Sequence, residues 1–263
     1  MKSCSRRRRS GQGKGFTLVE LLVVVGIIVV LLGLLVRTFR RSREQASAAV
    51  CASNLGQIGK AFLMYAQSNN DKFPYHADWS GTFPADWVHW WPGLGRDPNN
   101  LTKSSAIAPY LGNFTAALFH CPADDVTHHP RSDKSKGVYP FSYSMNGLFA
   151  SNPRPGNAPA VRLTSIRNPS GKMIVLEEDE LSLDDGHFLP ASVPGVFGSN
   201  YENFLGTRHT TPRVKDVSKL RSANAATRPD RNERGNVVFA DGHVELVTRG
   251  FTWTDQSADP QKP

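Results

Sequence analysis

The feature that most constrains this chain is an unbroken apolar segment near its N-terminus. The segment Phe16–Val36 reads FTLVELLVVVGIIVVLLGLLV and contains a single charged side chain, Glu20. As a helix, its 21 residues rise roughly 31 Å, which matches the hydrocarbon core of a bilayer. The sequence therefore predicts a transmembrane helix over residues 16–36, in contact with membrane lipid.

The positive charge of the chain is concentrated before this segment. The formal net charge is +8, and residues 1–15 contribute six basic side chains and no acid. The remaining residues carry 25 basic and 23 acidic side chains and are therefore nearly balanced. A nucleic-acid-binding domain normally shows a basic surface of its own, so no nucleic-acid partner is predicted.

An ordinary signal peptide or signal anchor is the first alternative for such an N-terminus. The apolar segment is longer than a typical signal-peptide core, and no small-x-small cleavage site follows it. A carboxylate inside an apolar span also needs a partner or a function. The stretch Lys14–Leu22, KGFTLVELL, resembles the class III signal of type IV pilins and type II secretion pseudopilins.

This resemblance implies a processing route for the N-terminus. A prepilin peptidase would cut after Gly15 on the cytoplasmic side, release residues 1–15 as a leader, and methylate the new amino group of Phe16. Glu20 would pair with the Phe16 amine of a neighbouring subunit in an apolar filament core. The implied partners are the peptidase, other pilin or pseudopilin subunits and an inner-membrane assembly platform, with the C-terminal domain in the periplasm.

Residues 37–70 are predicted to continue the helix beyond the membrane. Apolar residues recur there at steps of three and four, which is typical of one face of an amphipathic helix. Many pilins have a proline that bends this helix, but here no proline occurs before Pro74. The pattern predicts one helix to about Ser68, and a break near Arg41 into two helices is the alternative.

Residues 71–263 are predicted to form a loop-rich globular domain, because all 18 prolines follow residue 73. The best strand candidates are Lys172–Glu177, Asn236–Ala240 and His243–Val247, and weaker candidates are Leu118–Cys121 and Phe141–Met145. Asp241-Gly242 predicts a type I′ hairpin turn. The expected fold is α+β and pilin-like, with the long helix packed on a small antiparallel sheet with long loops.

A second resemblance rests on several short motifs that occur in order. They are CASNLGQIGKA from Cys51, Phe73-Pro74, CPAD from Cys121, SYSMN from Ser142, Asn168-Pro169-Ser170 and FADGH from Phe239. Their order resembles a pseudopilin-like family whose C-terminal region is named for an H-X9-DG pattern. His209 and Asp241-Gly242 match that pattern, but 31 residues separate them instead of nine. Residues 212–235 are therefore interpreted as an inserted surface loop.

Two groups of residues are candidate metal ligands. Asp241 and His243 are candidates together with His209, although Asp241 also suits a turn and His243 a strand. The second group is an acidic run that predicts either calcium ligands or a solvated loop: Glu177, Glu178, Asp179, Asp184 and Asp185. No cofactor other than calcium is suggested.

Two further features have structural and functional interpretations. Cys51 and Cys121 predict either a disulfide in an oxidising compartment or two buried thiols. The aromatic residues between Trp79 and Trp91 predict either a secondary core or a binding surface.

The sequence therefore favours a non-enzymatic structural subunit of a type II secretion pseudopilus or a type IV pilus-like filament. The protein would be single-pass, anchored in the inner membrane and then incorporated into a cell-envelope filament. The alternative is a membrane-tethered periplasmic binding or hydrolytic domain that uses the prepilin signal for targeting. That alternative requires His209, Asp241 and His243 to meet in one cleft.

Overall fold

The computed structural model describes residues 16–77, 83–90, 103–112, 115–133, 137–150, 159–191, 193–194, 202–210 and 231–262. The chain divides into two compact units, residues 1–43 and residues 44–263. The predicted leader and the greater part of the predicted insertion at 212–235 lie outside the described residues.

Helix α1 spans Leu18–Ser68, a length of 51 residues. It contains no proline and ends at Asn69-Asn70-Asp71, where Asn70 and Asp71 adopt positive φ angles of 55° and 65°. Asn and Asp tolerate this left-handed conformation better than other non-glycine residues, so the local sequence explains the end of the helix. The predicted single helix is confirmed, and the alternative break near Arg41 does not occur.

The second unit contains a five-stranded sheet in the order β5-β3-β4-β6-β7. Its strands are β3 (Tyr143–Asn146), β4 (Met173–Glu177), β5 (His187–Phe188), β6 (Arg234–Phe239) and β7 (Val244–Thr248). A separate antiparallel pair is formed by β1 (Arg131–Asp133) and β2 (Gly137–Val138). The α+β class is confirmed, but β5 pairs with β3 in parallel, so the sheet is mixed rather than wholly antiparallel.

Apolar side chains cover both faces of this sheet. On one face, Val175 and Val238 join a core with buried residues of α1, among them Leu55, Ile58 and Phe62. On the other face the core contains Met173, Leu176, Phe188, Leu205, Val237, Phe239, Val247 and Ala258. Ala258 belongs to the short C-terminal helix α2, Asp255–Ala258. Successive residues of a strand point to opposite faces, which is why β6 contributes to both cores.

Helix α1 approaches the sheet closely at Gly59. A β-carbon at this position would lie 2.4 Å from Cγ1 of Val238. Real β-carbons essentially never approach another carbon so closely, so the backbone of α1 reaches the sheet here because Gly59 has no side chain. This contact sets the short distance between the second half of α1 and strand β6.

Two local predictions are wrong. The candidate strand Leu118–Cys121 is not a strand, because Ala116–Phe119 forms a 3-10 helix there. The β6–β7 hairpin exists, but its turn is not type I′, because Asp241 lacks the positive φ that this turn requires, whereas Gly242 has φ +90°. The backbone NH of Gly242 donates to the carbonyl of Phe239 at 2.8 Å, and the NH of Phe239 donates to His243 at 2.9 Å. This pattern is that of a three-residue loop with glycine in the left-handed position.

The remaining described elements are short 3-10 helices in the loops. They are Ala108–Tyr110, Val126–His128, Leu163–Ser165, Pro169–Gly171 and Phe251–Trp253.

Candidate functional site

The first candidate site is the beginning of α1, where Thr17 and Glu20 form a reciprocal cap. Glu20 Oε2 accepts hydrogen bonds from the backbone NH of Thr17 at 2.9 Å and from its hydroxyl at 2.8 Å. In return, Thr17 Oγ1 accepts from the backbone NH of Glu20 at 3.2 Å. This arrangement is a capping box, with Thr17 at the N-cap and Glu20 three residues later. Glu20 therefore has a partner within its own chain, which sequence reasoning did not foresee.

The segment that follows this cap exposes its apolar side chains on every face. Leu18–Val36 is long and apolar enough to cross a membrane, and none of it is buried. A helix that is apolar all round needs an apolar environment, either lipid or neighbouring helices. The segment thus fits a single-pass membrane anchor. Phe16, the proposed mature N-terminus, is also exposed, whereas Gly15 lies outside the described residues.

The second candidate site is a buried polar cluster inside the C-terminal unit. Cys51 of α1 and Cys121 are joined by a disulfide with a Cα–Cα distance of 5.2 Å. His209 Nε2 lies 3.3 Å from Cys121 Sγ and 3.3 Å from Glu177 Oε1. The ligand atoms of these four residues all lie within 4.8 Å of one another. Four residues far apart in sequence are therefore brought to one point between α1 and the end of β4.

Glu177 is the residue of this cluster with the least complete hydrogen bonding. Asn236 Nδ2 donates to Glu177 Oε1 at 3.0 Å. Glu177 Oε2 is buried and accepts no hydrogen bond from the described residues. A buried carboxylate oxygen without a donor is costly, so this atom marks a place where a further ligand would be stabilised.

A buried ion pair lies next to this cluster. Arg208 Nη2 lies 3.3 Å from Asp124 Oδ1, and His129 Nε2 lies 3.1 Å from Asp124 Oδ2. Burial by itself would raise the pKa of Asp124, but the Arg208 guanidinium and the hydrogen bond from His129 outweigh burial and lower it to about 2. The charges of Asp124 and Glu177 both raise the pKa of Arg208 against the effect of its burial. Arg208 is therefore a permanent positive charge beside the cluster.

The acidic run is mostly buried rather than solvated, and only Asp184 of its five residues is half-buried. Glu178 accepts from Ser144 at 2.6 Å, from Ser182 at 2.8 Å and from Asn203 at 2.6 Å. Burial raises the pKa of Glu178 well above its usual range. Asp179 accepts from Arg249 Nη2 at 2.9 Å. These protein donors occupy carboxylate oxygens that a calcium ion would need. Calcium binding therefore stays a prediction for Glu177, Glu178, Asp179, Asp184 and Asp185.

His209 and Asp241 belong to different environments. His209 contacts Cys121 and Glu177, whereas Asp241 Oδ1 lies 2.5 Å from His243 Nδ1 in the exposed hairpin loop. Gly242 of the same loop lies against Leu63 of α1. Among the described residues, the group of potential metal ligands that converges includes His209 but neither Asp241 nor His243. The predicted grouping of these three residues is not found.

Two aromatic residues of the predicted cluster, Trp87 and Trp90, belong to the main core. Trp87 is fully buried, donates from Nε1 to the Gly186 carbonyl at 2.9 Å, and packs on Phe62 with ring centroids 5.7 Å apart. Trp90 is also buried. These two residues are therefore core residues, as one interpretation predicts, but they belong to the main core and not to a secondary one. Trp79 and Trp91 lie outside the described residues.

Comparison with known proteins bears on the N-terminal site. A family model described as the prokaryotic N-terminal methylation motif matches residues 12–36. The chain carries a prepilin-type methylation motif. The N-terminus is therefore that of a pilin-like, processed protein, and the motif covers the capping box and the whole apolar segment. No curated protein and no solved structure matches the chain, and the resemblance to the H-X9-DG family stays a prediction.

Sequence reasoning identified each residue of the buried cluster without identifying the cluster. Cys51 and Cys121 are a potential disulfide in the sequence, His209 matches a family pattern, and Glu177 lies in an acidic run that predicts either calcium ligands or a solvated loop. Their separations of tens of residues carry no ligand-spacing signal of the kind that marks a zinc finger. The tertiary packing of α1, the end of β4 and the turn at His209 brings them together.

Proposed function

We propose that this protein is a structural subunit of a type II secretion pseudopilus or a type IV pilus-like filament, and that it has no enzymatic role. The observation that carries the proposal is the methylation motif at residues 12–36, which covers the helical segment Leu18–Val36, whose apolar side chains are all exposed. Such a helix suits lipid before assembly and the helices of neighbouring subunits afterwards, so the same surface serves both states.

The proposed route begins with cleavage after Gly15 by a prepilin peptidase and methylation of Phe16. Cleavage removes six basic side chains and places a new amino group four residues before Glu20. In a filament, the Glu20 carboxylate would exchange its hydrogen bonds to Thr17 for an ion pair with the Phe16 amine of a neighbour. That exchange compensates a charge that is costly in an apolar core.

The processing step is tested by mass spectrometry of the N-terminal peptide of chain extracted from membranes. The expected species begins at methylated Phe16. An intact leader or cleavage beyond Val36 would overturn the proposed route.

The role of Glu20 in assembly is tested with two variants that separate charge from capping. Glutamine also completes a capping box, so Glu20→Gln keeps the cap and removes the charge, whereas Glu20→Ala removes both. If pairing with Phe16 drives assembly, both variants are processed but enter sheared filaments poorly. Glu44→Ala, an exposed acid on the same helix, is the matched control and is expected to assemble normally. Normal assembly of Glu20→Gln would contradict the charge-pairing role.

A further inference from the structure

We infer that Cys51, Cys121, Glu177 and His209 form a zinc-binding site when the Cys51–Cys121 disulfide is reduced. The two states exclude each other, since the sulfur atoms either bond to one another or bind the metal. The inference concerns the C-terminal unit and does not depend on the proposed filament function.

The donor atoms lie close enough together to form a tetrahedral site once the disulfide opens. A zinc ion with nitrogen and oxygen ligands at about 2.0–2.1 Å separates those ligand atoms by roughly 3.3 Å. The observed distance between His209 Nε2 and Glu177 Oε1 is 3.3 Å. All four donor atoms lie within 4.8 Å of one another. Two thiolates on one zinc stand roughly 3.8 Å apart, so opening the disulfide requires only a small movement of the two sulfurs.

The burial of the four ligand residues, and the hydrogen bond that Asn236 donates to one of them, indicate a closed site. Cys51, Cys121 and Glu177 are fully buried, and the His209 side chain is 3% exposed. Asn236 holds Glu177 Oε1, which orients the carboxylate in the way that outer contacts orient metal ligands. Glu177 Oε2 lacks a hydrogen-bond donor among the described residues, so the buried carboxylate has negative charge that a cation bound at Oε1 would compensate.

The donor set selects the metal. Two thiolates and one imidazole favour zinc over calcium or magnesium, which prefer oxygen ligands. With one carboxylate added, the loaded site has a net charge of −1. Arg208, whose Nη2 lies 3.3 Å from Asp124 Oδ1, supplies a neighbouring positive charge. Zinc is therefore the ion that this buried site accommodates best.

An external dithiol supplies the electrons and protons that convert the disulfide state into the reduced state. The dithiol transfers two electrons and two protons to the protein and becomes a disulfide, the Cys51–Cys121 S–S bond breaks, and each Sγ takes up one proton. Binding of the metal then releases both thiol protons, and His209 binds as the neutral imidazole.

The inference is tested on the full, untagged chain in detergent, with Cys4→Ser to remove the third cysteine. The protein is reduced with a dithiol, which is removed anaerobically before Co²⁺ is added as a spectroscopic probe. The expected result is one tightly bound Co²⁺ per chain, with tetrahedral visible bands and thiolate-to-cobalt charge transfer, and displacement by Zn²⁺. The oxidised chain is expected to give no thiolate signal, and this comparison needs no further substitution.

Variants distinguish the four-ligand site from a simple dithiol. In the reduced chain, His209→Ala and the isosteric Glu177→Gln are each expected to weaken Co²⁺ binding by more than about tenfold. His243→Ala, an exposed histidine, is the matched control and is expected to bind as the parent chain does. Absence of thiolate-to-cobalt absorption in the reduced parent would overturn the inference. Unchanged binding by both His209→Ala and Glu177→Gln would do so as well, since the cysteines would then act alone.

Discussion

The two units of this protein depart from the usual arrangement of apolar and charged residues in opposite ways. In the first unit, every described side chain of the apolar segment Leu18–Val36 is exposed. In the second unit, several ionisable side chains are fully buried: Lys172, Glu177, Glu178 and Arg249. Buried charges are rare unless they are paired, and large exposed apolar surfaces are rare unless they meet a partner.

This difference in the placement of apolar and ionisable side chains shows that each unit is adapted to a different kind of contact. The first unit forms few contacts of its own and depends on lipid or neighbouring helices for its apolar surface. The second unit has many loops with little regular structure, and its buried basic side chains Lys172 and Arg249 donate to backbone carbonyls outside the strands. Arg249, for example, donates to the Leu205 carbonyl from both Nε and Nη2, at 2.9 and 2.7 Å. Changes of sequence should therefore have different effects in the two units.

The largest effect is expected for Arg249→Met. This change removes the ion pair with Asp179 and the donors to Leu205, and it leaves the largely buried Asp179 carboxylate without its cation. Loss of one partner from a buried pair costs about 4 kcal/mol. The free energy of unfolding in urea, followed by tryptophan fluorescence, measures this cost. The exposed Lys60→Met is the control, and equal midpoints for the two variants would show that buried charge is not what holds these loops.

A smaller effect, dependent on pH, is expected at Asp124. Its pKa is lowered in the folded protein from 3.8 to about 2, so its ion pair stabilises the fold above pH 4 and this stability is lost as the pH falls towards 2. The shift corresponds to about 2 kcal/mol. The stability difference between the parent chain and Asp124→Asn should shrink by this amount between pH 5 and pH 2.

Unfolding curves at several pH values measure that difference. Asp255→Asn, at an exposed position, is the control. A difference between parent and Asp124→Asn that stays constant across this pH range would refute the assigned ion pair.

The same substitution in each unit tests the comparison most directly. Gly59→Ala places a β-carbon 2.4 Å from Val238 Cγ1 and should destabilise the second unit by about 1–2 kcal/mol. Gly26→Ala meets no atom within 4 Å and should stabilise the helix by up to about 1 kcal/mol. Thermal unfolding measures the first effect, and amide hydrogen exchange around residue 26 measures the second. Effects of the same sign would contradict the division into a packed unit and an unpacked one.

The smallest effect is expected at the cap of α1. Thr17→Val removes the hydroxyl that accepts from the Glu20 amide and should destabilise the first turn by about 1 kcal/mol. Faster amide exchange at residues 18–20 in detergent micelles would report this loss. Thr17→Ser keeps the hydroxyl and should behave as the parent chain, and equal exchange in all three chains would argue against the capping box.

The elements of the fold that follow a clear local pattern could be predicted from the sequence. The apolar period of α1 and the β-branched runs of β4, β6 and β7 each predict their element within a few residues. Strand β5 is only two residues long and pairs in parallel with β3. Two residues carry no period, so neither its presence nor its direction could be read in advance.

The candidate sites differ in the same respect. The methylation motif and the acid at Glu20 lie in consecutive residues, so sequence alone revealed them. The buried cluster depends on how α1, the end of β4 and the turn at His209 meet, and those contacts are set by tertiary packing. Cys51 and His209 could be named as interesting residues but not as neighbours.

The contact between Gly59 and Val238 also has a consequence for the time course of biosynthesis. The two positions are 179 residues apart, and at typical rates of synthesis that distance takes roughly 10–40 s to translate. During this interval Leu55 and Ile58 of α1 have been made, but strand β6, which contributes Val238 to the same core, has not. Part of the apolar face of the newly made helix therefore stays uncovered until β6 has been synthesised. A chaperone would contribute most during this interval.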